Sequence, residues 1–180
     1  MILAIDLDHV LVDLHVVEKA SGQSFTQKDV VSWGYSEFPA AVQLRIWQLL
    51  RDTSFMMEYC FPKAGIQDKL DSLNRAGHVT AIVTSRFPEV QDETRSFVRT
   101  YIPQIGGNVF FSNGVDKLDI LKSIKADYYI DDNPACMAEA FYHGISCVLV
   151  SNEETKYNHE FRNKDYVHSV ISNFNELVVE

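Results

Sequence analysis

Four acidic residues in this chain are spaced so that they could work on one centre. Asp6 and Asp8 follow the apolar run Met1-Ile2-Leu3-Ala4-Ile5, and Asp131 and Asp132 follow Tyr128-Tyr129-Ile130. If the two runs are neighbouring parallel strands, their carboxylates converge at the strand ends, where open α/β sheets bind ligands. Such a cluster repels itself until a divalent cation joins it. Mg²⁺ in particular takes carboxylate, carbonyl and water oxygens together with substrate phosphate. A third apolar run, Thr80-Ala81-Ile82-Val83, passes into Thr84-Ser85-Arg86. The hydroxyls suit a phosphate. The Arg86 guanidinium could pair with that phosphate or salt-bridge a nearby acid.

Residues two apart on a strand point the same way, so the Asp6 and Asp8 carboxylates can address one site. Asp6 is then the nucleophile, attacking phosphorus to form an aspartyl-phosphate, which divides a difficult hydrolysis into two displacements. Asp8 protonates the leaving alkoxide and afterwards takes a proton from water. Alone, Asp-x-Asp is more often a turn or helix cap than a site, because short acidic motifs are abundant on surfaces. What separates this instance is its repetition: three strand-like runs each end in polar, phosphate-competent residues.

The elements that must hold these residues alternate along the chain. Ile66, Leu70 and Leu73 fall at helical spacing within 64–76, Gly77 stops that helix, and a strand follows at 78–83. A helix over 89–101 leads past Pro103 and Gly106-Gly107 to a short strand at 109–111. The pattern continues with a helix over 116–125, a strand at 128–130, a helix over 134–142 stopped by Gly144, and a strand at 147–150. This order predicts an α/β fold, a Rossmann-like parallel sheet flanked by helices. The stretch from Leu14 to Pro62 offers no clear buried strand, and its best periodic segment, 40–50, is a helix. It reads as a small helical cap over residues 14–62, inserted after the first strand into a core formed by 1–13 and 63–180. The polar tail after Ser151 leaves its final element open between helix and strand.

With 180 residues, 46% hydrophobic and 23% charged, the chain suits one well-cored domain with an elaboration. A net charge of −9 disfavours nucleic acid and anionic membranes as partners, yet leaves room for a small phosphomonoester bound through a metal. Cys60, Cys136 and Cys147 have neither metal-like nor redox-like spacing and read as reduced, buried thiols. No run reaches transmembrane length, and the N-terminus lacks the pattern of a secretory signal, so the expected setting is cytoplasmic.

These motifs resemble those of the haloacid dehalogenase superfamily. The first is Asp6-Leu7-Asp8-His9-Val10-Leu11-Val12-Asp13, the second Ile82-Val83-Thr84-Ser85-Arg86, and the fourth Tyr129-Ile130-Asp131-Asp132-Asn133-Pro134. The resemblance implies that Thr84 is the phosphate-binding hydroxyl. It also implies that Lys117 supplies the third motif's lysine, with Lys122 and Lys125 as alternatives. By the same resemblance Asp131 binds Mg²⁺ with the Asp6 carboxylate and the Asp8 carbonyl, and Asp132 stands behind them. Within the superfamily the whole chain is similar to the 5′(3′)-deoxyribonucleotidase-like group, through Asp13, the helical insertion, Phe61-Pro62-Lys63-Ala64-Gly65 and the late Tyr157-Asn158. The activity implied is Mg²⁺-dependent hydrolysis of (deoxy)nucleoside monophosphates. A phosphatase of another small phosphoester, such as a sugar phosphate, and a binding protein that retains the fold are the alternatives.

One departure stands beside the nucleophile. His9 occupies a position that is often Gly in such phosphatases, and it is either a solvent-facing loop residue or one that reshapes the loop or the substrate preference. The cap is rich in aromatics, namely Phe25, Trp33, Tyr35, Phe38, Trp47, Phe55, Tyr59 and Phe61. Most must form its interior, and Trp33 is the residue expected to contact a nucleobase.

Overall fold

In a computed structural model, residues 1–179 other than Trp33 are described. Among the described residues the strands are β1 (Ile2–Ile5), β2 (Val12–Leu14), β3 (Cys60–Pro62), β4 (Val79–Thr84), β5 (Val109–Phe111), β6 (Tyr128–Asp131), β7 (Ser146–Val150) and β8 (Ser169–Ile171). The helices are α1 (Val16–Ser21), α2 (Ala40–Leu49), α3 (Thr53–Glu58), α4 (Ile66–Arg75), α5 (Gln91–Tyr101), α6 (Leu118–Ser123) and α7 (Met137–Tyr142). A parallel sheet runs in the order β5-β4-β1-β6-β7-β8, so the chain fills one side of β1 before crossing to the other. The crevice at that reversal, beyond the carboxyl ends of β1, β4 and β6, is where this kind of sheet binds ligands.

Strand alternation sorts the interior into two apolar layers. Leu3, Ile5, Ile82, Ile130, Val148 and Val150 face one layer, which includes Leu70 of α4 and Phe97 of α5. Their neighbours Ala4, Val83, Tyr129, Cys147 and Leu149 face the other, with Leu121 of α6 and Met137 of α7. Because helices cover both faces, the central strands are apolar at nearly every position. In α4 the buried residues are Ile66, Leu70 and Leu73, as their spacing predicts. Gly65, just before that helix, has φ +79°, and the amide of Asn175 crowds the place a Cβ would take. A side chain there would strain the backbone and collide with the C-terminal segment.

One short piece of sheet differs from the sequence-based expectation, and another lies in the tail, whose final element the sequence leaves open. β2 and β3 pair antiparallel, Val12 with Pro62 and Leu14 with Cys60, and form the neck of the segment between them. At three residues each, they carry too little alternation to be read as strands. In the tail, β8 pairs with β7 and extends the sheet.

Between the two neck strands lie α1, α2 and α3, with α1 packed against α2. Asp52 caps α3 by accepting from the backbone N–H groups of Ser54 (2.9 Å) and Phe55 (3.2 Å). The insertion lacks a separate interior. Phe38, Ile46, Leu49 and Phe55 join the same apolar cluster as Leu7 and Leu11 of the core. A segment this small buries too little surface alone and completes its core against the sheet. Cys60, Cys136 and Cys147 are free and buried, in line with the expectation for reduced thiols.

Candidate active site

Strand register assembles the acids. Ile5 lies beside Ile130, and the Asp6 N–H donates to the Ile130 carbonyl at 2.8 Å, so Asp6 and Asp131 emerge side by side. On the opposite flank Ile5 pairs with Ile82, which brings Thr84 to the same edge. Asp6, Asp8, Thr84, Ser85, Arg86, Lys117, Asp131 and Asp132 all line a cavity of about 570 Å³. The structure thus brings together every candidate site residue in the described part of the chain. Trp33, the expected base contact, lies outside the described residues.

The Lys117 ammonium donates to Asp6 Oδ1 at 2.6 Å and to Asp131 Oδ2 at 2.7 Å, and all three residues are buried. Lys122, by contrast, pairs with exposed Asp119 on the α6 surface. Asp131 also accepts from the Tyr129 hydroxyl and, at 2.8 Å, from the Asn133 backbone N–H. Asp132 accepts from the Tyr157 hydroxyl, and Asn158 donates to the Asp132 carbonyl at 2.6 Å. Tyr129 was not legible as a site residue, because in a strand it reads as a core aromatic. Its one signal is the i, i+2 spacing that puts it on the face of Asp131.

Arg86 takes the second of the two readings open to it. Its guanidinium forks the Asp8 carboxylate, Nε at 3.0 Å from Oδ2 and Nη2 at 2.6 Å from Oδ1. Ser85 meets Ser112, their hydroxyl oxygens 3.1 Å apart.

The loop after β1 turns tightly, with the N–H groups of Leu11 and Val12 both on the Leu7 carbonyl at 3.0 Å. His9 sits at φ +60°, the left-handed conformation that explains why glycine suits this position. The reading of His9 as solvent-facing is corrected: it is buried, beside Gln27, Val30 and Tyr35 of the segment between β2 and β3. Lys63, at the return from the cap, donates to the His9 carbonyl at 2.6 Å and lies 3.6 Å from Asp13. Its role in bracing the loop had no sequence signal beyond its place in Phe61-Pro62-Lys63-Ala64-Gly65.

The electrostatics follow from this packing. Burial, reinforced by Asp131 and Asp8, pushes the Asp6 carboxyl up to about 7 against the opposing pull of Lys117. Burial would also raise Asp8, yet the Arg86 guanidinium outweighs it and holds Asp8 below the usual carboxylate range. Asp132 is driven well above that range by burial and by Asp131. Burial lowers the His9 imidazole to about 4.

The donor set suits a hard divalent cation. Asp6, Asp131 and Asp132 each offer a carboxylate oxygen, all within 4.8 Å of one another. Four carboxylates, with Asp8, face the two cations Lys117 and Arg86. When all are ionised, the surplus of two negative charges is what one Mg²⁺ would cancel.

From the segment between β2 and β3, Tyr35 and Trp47 line the cavity, and Phe87, which follows β4, lines it too. Trp47 meets both edge-on, with ring centroids 5.7 Å from Tyr35 and 6.5 Å from Phe87. Phe38 and Phe55 are buried, whereas Phe61 is half exposed at the neck.

Comparisons with known proteins agree with this geometry. The family model for 5′ nucleotidase, deoxy (pyrimidine), cytosolic type C protein (NT5C) matches residues 1–176. No curated protein matches by sequence. Among solved structures, a haloacid dehalogenase-like hydrolase from Bacteroides fragilis superposes with a TM-score of 0.63 at 15% identity, over 98% of this chain and 99% of that one. A β-phosphoglucomutase-like protein from Thermotoga maritima gives 0.58 at 13% identity, over 98% and 95%. A haloacid dehalogenase family hydrolase from Deinococcus radiodurans, solved with bound phosphate and sodium, gives 0.56 at 14% identity, over 83% and 81%. At these identities the structural likeness speaks for the fold alone, and the family match covers nearly the whole chain. The chain therefore belongs to the cytosolic type C 5′ nucleotidase family, phosphatases on the haloacid dehalogenase-like α/β fold.

Proposed function

We propose that the chain hydrolyses (deoxy)nucleoside monophosphates to nucleoside and phosphate, with Mg²⁺ as cofactor and Asp6 as nucleophile. The observation that carries this reading is the placement of Asp6 and Asp131 on either side of Lys117, at the mouth of the sheet and beneath an aromatic wall.

In the first displacement the Asp6 carboxylate attacks phosphorus, the P–O bond to the nucleoside breaks, and Asp8 gives its proton to the departing oxygen. In the second, Asp8 takes a proton from water as that water attacks the aspartyl-phosphate, which frees phosphate and restores Asp6. Asp8 must therefore hold a proton at one stage and lose it at the next. In the resting site Arg86 favours the carboxylate, and the negative charge of an arriving phosphate opposes it. Lys117 and Thr84 hold the phosphoryl oxygens, with Ser85 beside Thr84. The carboxylates of Asp6 and Asp131, with the Asp8 carbonyl, would hold the metal, and Asp132, held by the Tyr157 hydroxyl, stands behind them. When bound, Mg²⁺ supplies positive charge where the phosphoryl group gathers negative charge.

Residues 14–62 act as a cap and residues 1–13 with 63–180 as the core, the neck strands β2 and β3 joining them. Tyr35, Trp47 and Phe87 give the cavity a surface on which a base can stack. No described helix is long and apolar enough to cross a membrane. A cytoplasmic setting rests on the family's name and on the reduced thiols.

The test is phosphate release with Mg²⁺ from deoxynucleoside, ribonucleoside and sugar monophosphates. Preference for nucleoside monophosphates supports the reading. Preference for sugar phosphates keeps the chemistry and discards the substrate.

A further inference from the structure

Arg86 is buried, and four hydrogen bonds fix its guanidinium. Besides the two to Asp8, Nη1 donates to Thr94 Oγ1 at 3.1 Å and Nη2 to Cys60 Sγ at 3.1 Å. Thr94 is itself anchored, its hydroxyl donating to the Val90 carbonyl at 2.7 Å within the start of α5. Cys60 opens β3, the strand by which the cap rejoins the core. The guanidinium is thus pinned from α5 on one side and from the neck of the cap on the other, and it presents a fork to Asp8.

We infer that Arg86 is a positioning residue. Its fork sets the orientation of the Asp8 carboxyl for proton transfer, and its anchors on Thr94 and Cys60 make that orientation depend on the seating of the neck strand β3. The inference rests on the proposed acid–base role of Asp8. Two parallel N–H donors constrain both oxygens and so fix the plane of the carboxyl, which a single-point ammonium does not. A proton donor displaced by an ångström from its acceptor loses most of its catalytic effect. Arg86 also lines the cavity, but its donors to Asp8, Thr94 and Cys60 make it part of the wall that aims the acid, with the phosphate left to Lys117 and Thr84.

The test compares kcat/KM for a deoxynucleoside monophosphate, whose alkoxide must be protonated, with that for p-nitrophenyl phosphate, whose leaving group departs as a stable anion. This parameter reports only the steps through leaving-group departure. Arg86→Gln and Arg86→Lys are each expected to lose about 10²-fold on the nucleotide and under about tenfold on the nitrophenyl ester. Thr94→Val keeps the guanidinium and removes one anchor, and a loss of a few-fold with the same selectivity is expected. It serves as the readout if the Arg86 variants fail to fold. Equal losses on both substrates, or restoration of nucleotide turnover by Arg86→Lys, would overturn the positioning role. Asp8→Asn on the same pair separates the two claims. If Asp8→Asn discriminates between the substrates and the Arg86 and Thr94 variants do not, only the positioning role falls. If Asp8→Asn does not discriminate, the acid–base reading falls and the positioning role with it.

Discussion

Lys117 Nζ stands 2.6 Å from Asp6 Oδ1, so the proposed nucleophile begins each cycle tied to a buried ammonium. That contact keeps Asp6 in reach of ionisation near neutral pH, since burial and the neighbouring carboxylates push its carboxyl up to about 7 even with the ammonium present. The same ammonium reaches Asp131, so one side chain from the start of α6 holds β1 and β6 together at the site.

Lys117→Gln should therefore lose at least about 10²-fold in kcat, the scale for removing one charge-stabilising donor from a closed site. Its unfolding free energy without metal should fall by about 3–5 kcal/mol, because a buried charge pair loses one partner. Steady-state kinetics and urea unfolding read the two effects separately. A variant with both values near those of the parent would remove Lys117 from the site.

His9 makes a pH-dependent contribution to stability. Burial lowers its folded pKa to about 4 from an ordinary 6.5, so below pH 6.5 the unfolded chain binds a proton that the folded one refuses. Stability is then lost as pH falls from 6.5 towards 4 and is fully present above that window. From pH 7 to pH 5 the parent should lose about 2 kcal/mol more than His9→Asn, whose side chain tolerates the φ of +60° and does not titrate. Urea unfolding at both pH values checks this. Equal losses in the two proteins would contradict the burial of a neutral imidazole.

Trp47 bears on substrate class. Its ring lines the cavity between Tyr35 and Phe87, and Trp47→Ala should raise KM for nucleoside monophosphates about tenfold, the scale of one base-stacking contact. KM for glycerol phosphate, which has no base, should not move. A parallel rise for both would mean that Trp47 shapes the cavity and does not read a base.

Tyr157→Phe removes a hydrogen-bonding hydroxyl from the buried Asp132 carboxyl. A loss of about 1–3 kcal/mol in thermal or urea unfolding is expected, because a buried polar group is left short of a partner. A smaller loss once Mg²⁺ is added would tie Asp132 to the metal cluster.

Much of this arrangement can be read from the sequence, because central parallel strands must be apolar and their ends must be where polarity returns. Asp6, Thr84 and Asp131 announce themselves by that change, and Lys117 by opening the helix before β6. The partners of these residues cannot be read in the same way. That Arg86 meets Asp8, 78 residues earlier, is a product of tertiary packing. His9 looked solvent-facing because nothing local reveals that Gln27, Val30 and Tyr35, distant in sequence, lie beside it. Tyr129 and Tyr157 read as packing aromatics, and only the fold shows their hydroxyls on Asp131 and Asp132. The neck strands β2 and β3 were too short to show a period, although they close the segment between them.

The central claim is that Asp6 accepts the phosphoryl group, and acid-quenching the enzyme during turnover of a deoxynucleoside monophosphate with Mg²⁺, followed by peptide mass analysis, tests it most directly. The account predicts one added phosphoryl group on the peptide containing Asp6, absent without Mg²⁺ and absent in Asp6→Asn, which should also release no phosphate. Steady phosphate release by Asp6→Asn, or a phosphoryl group trapped on another residue, would contradict it.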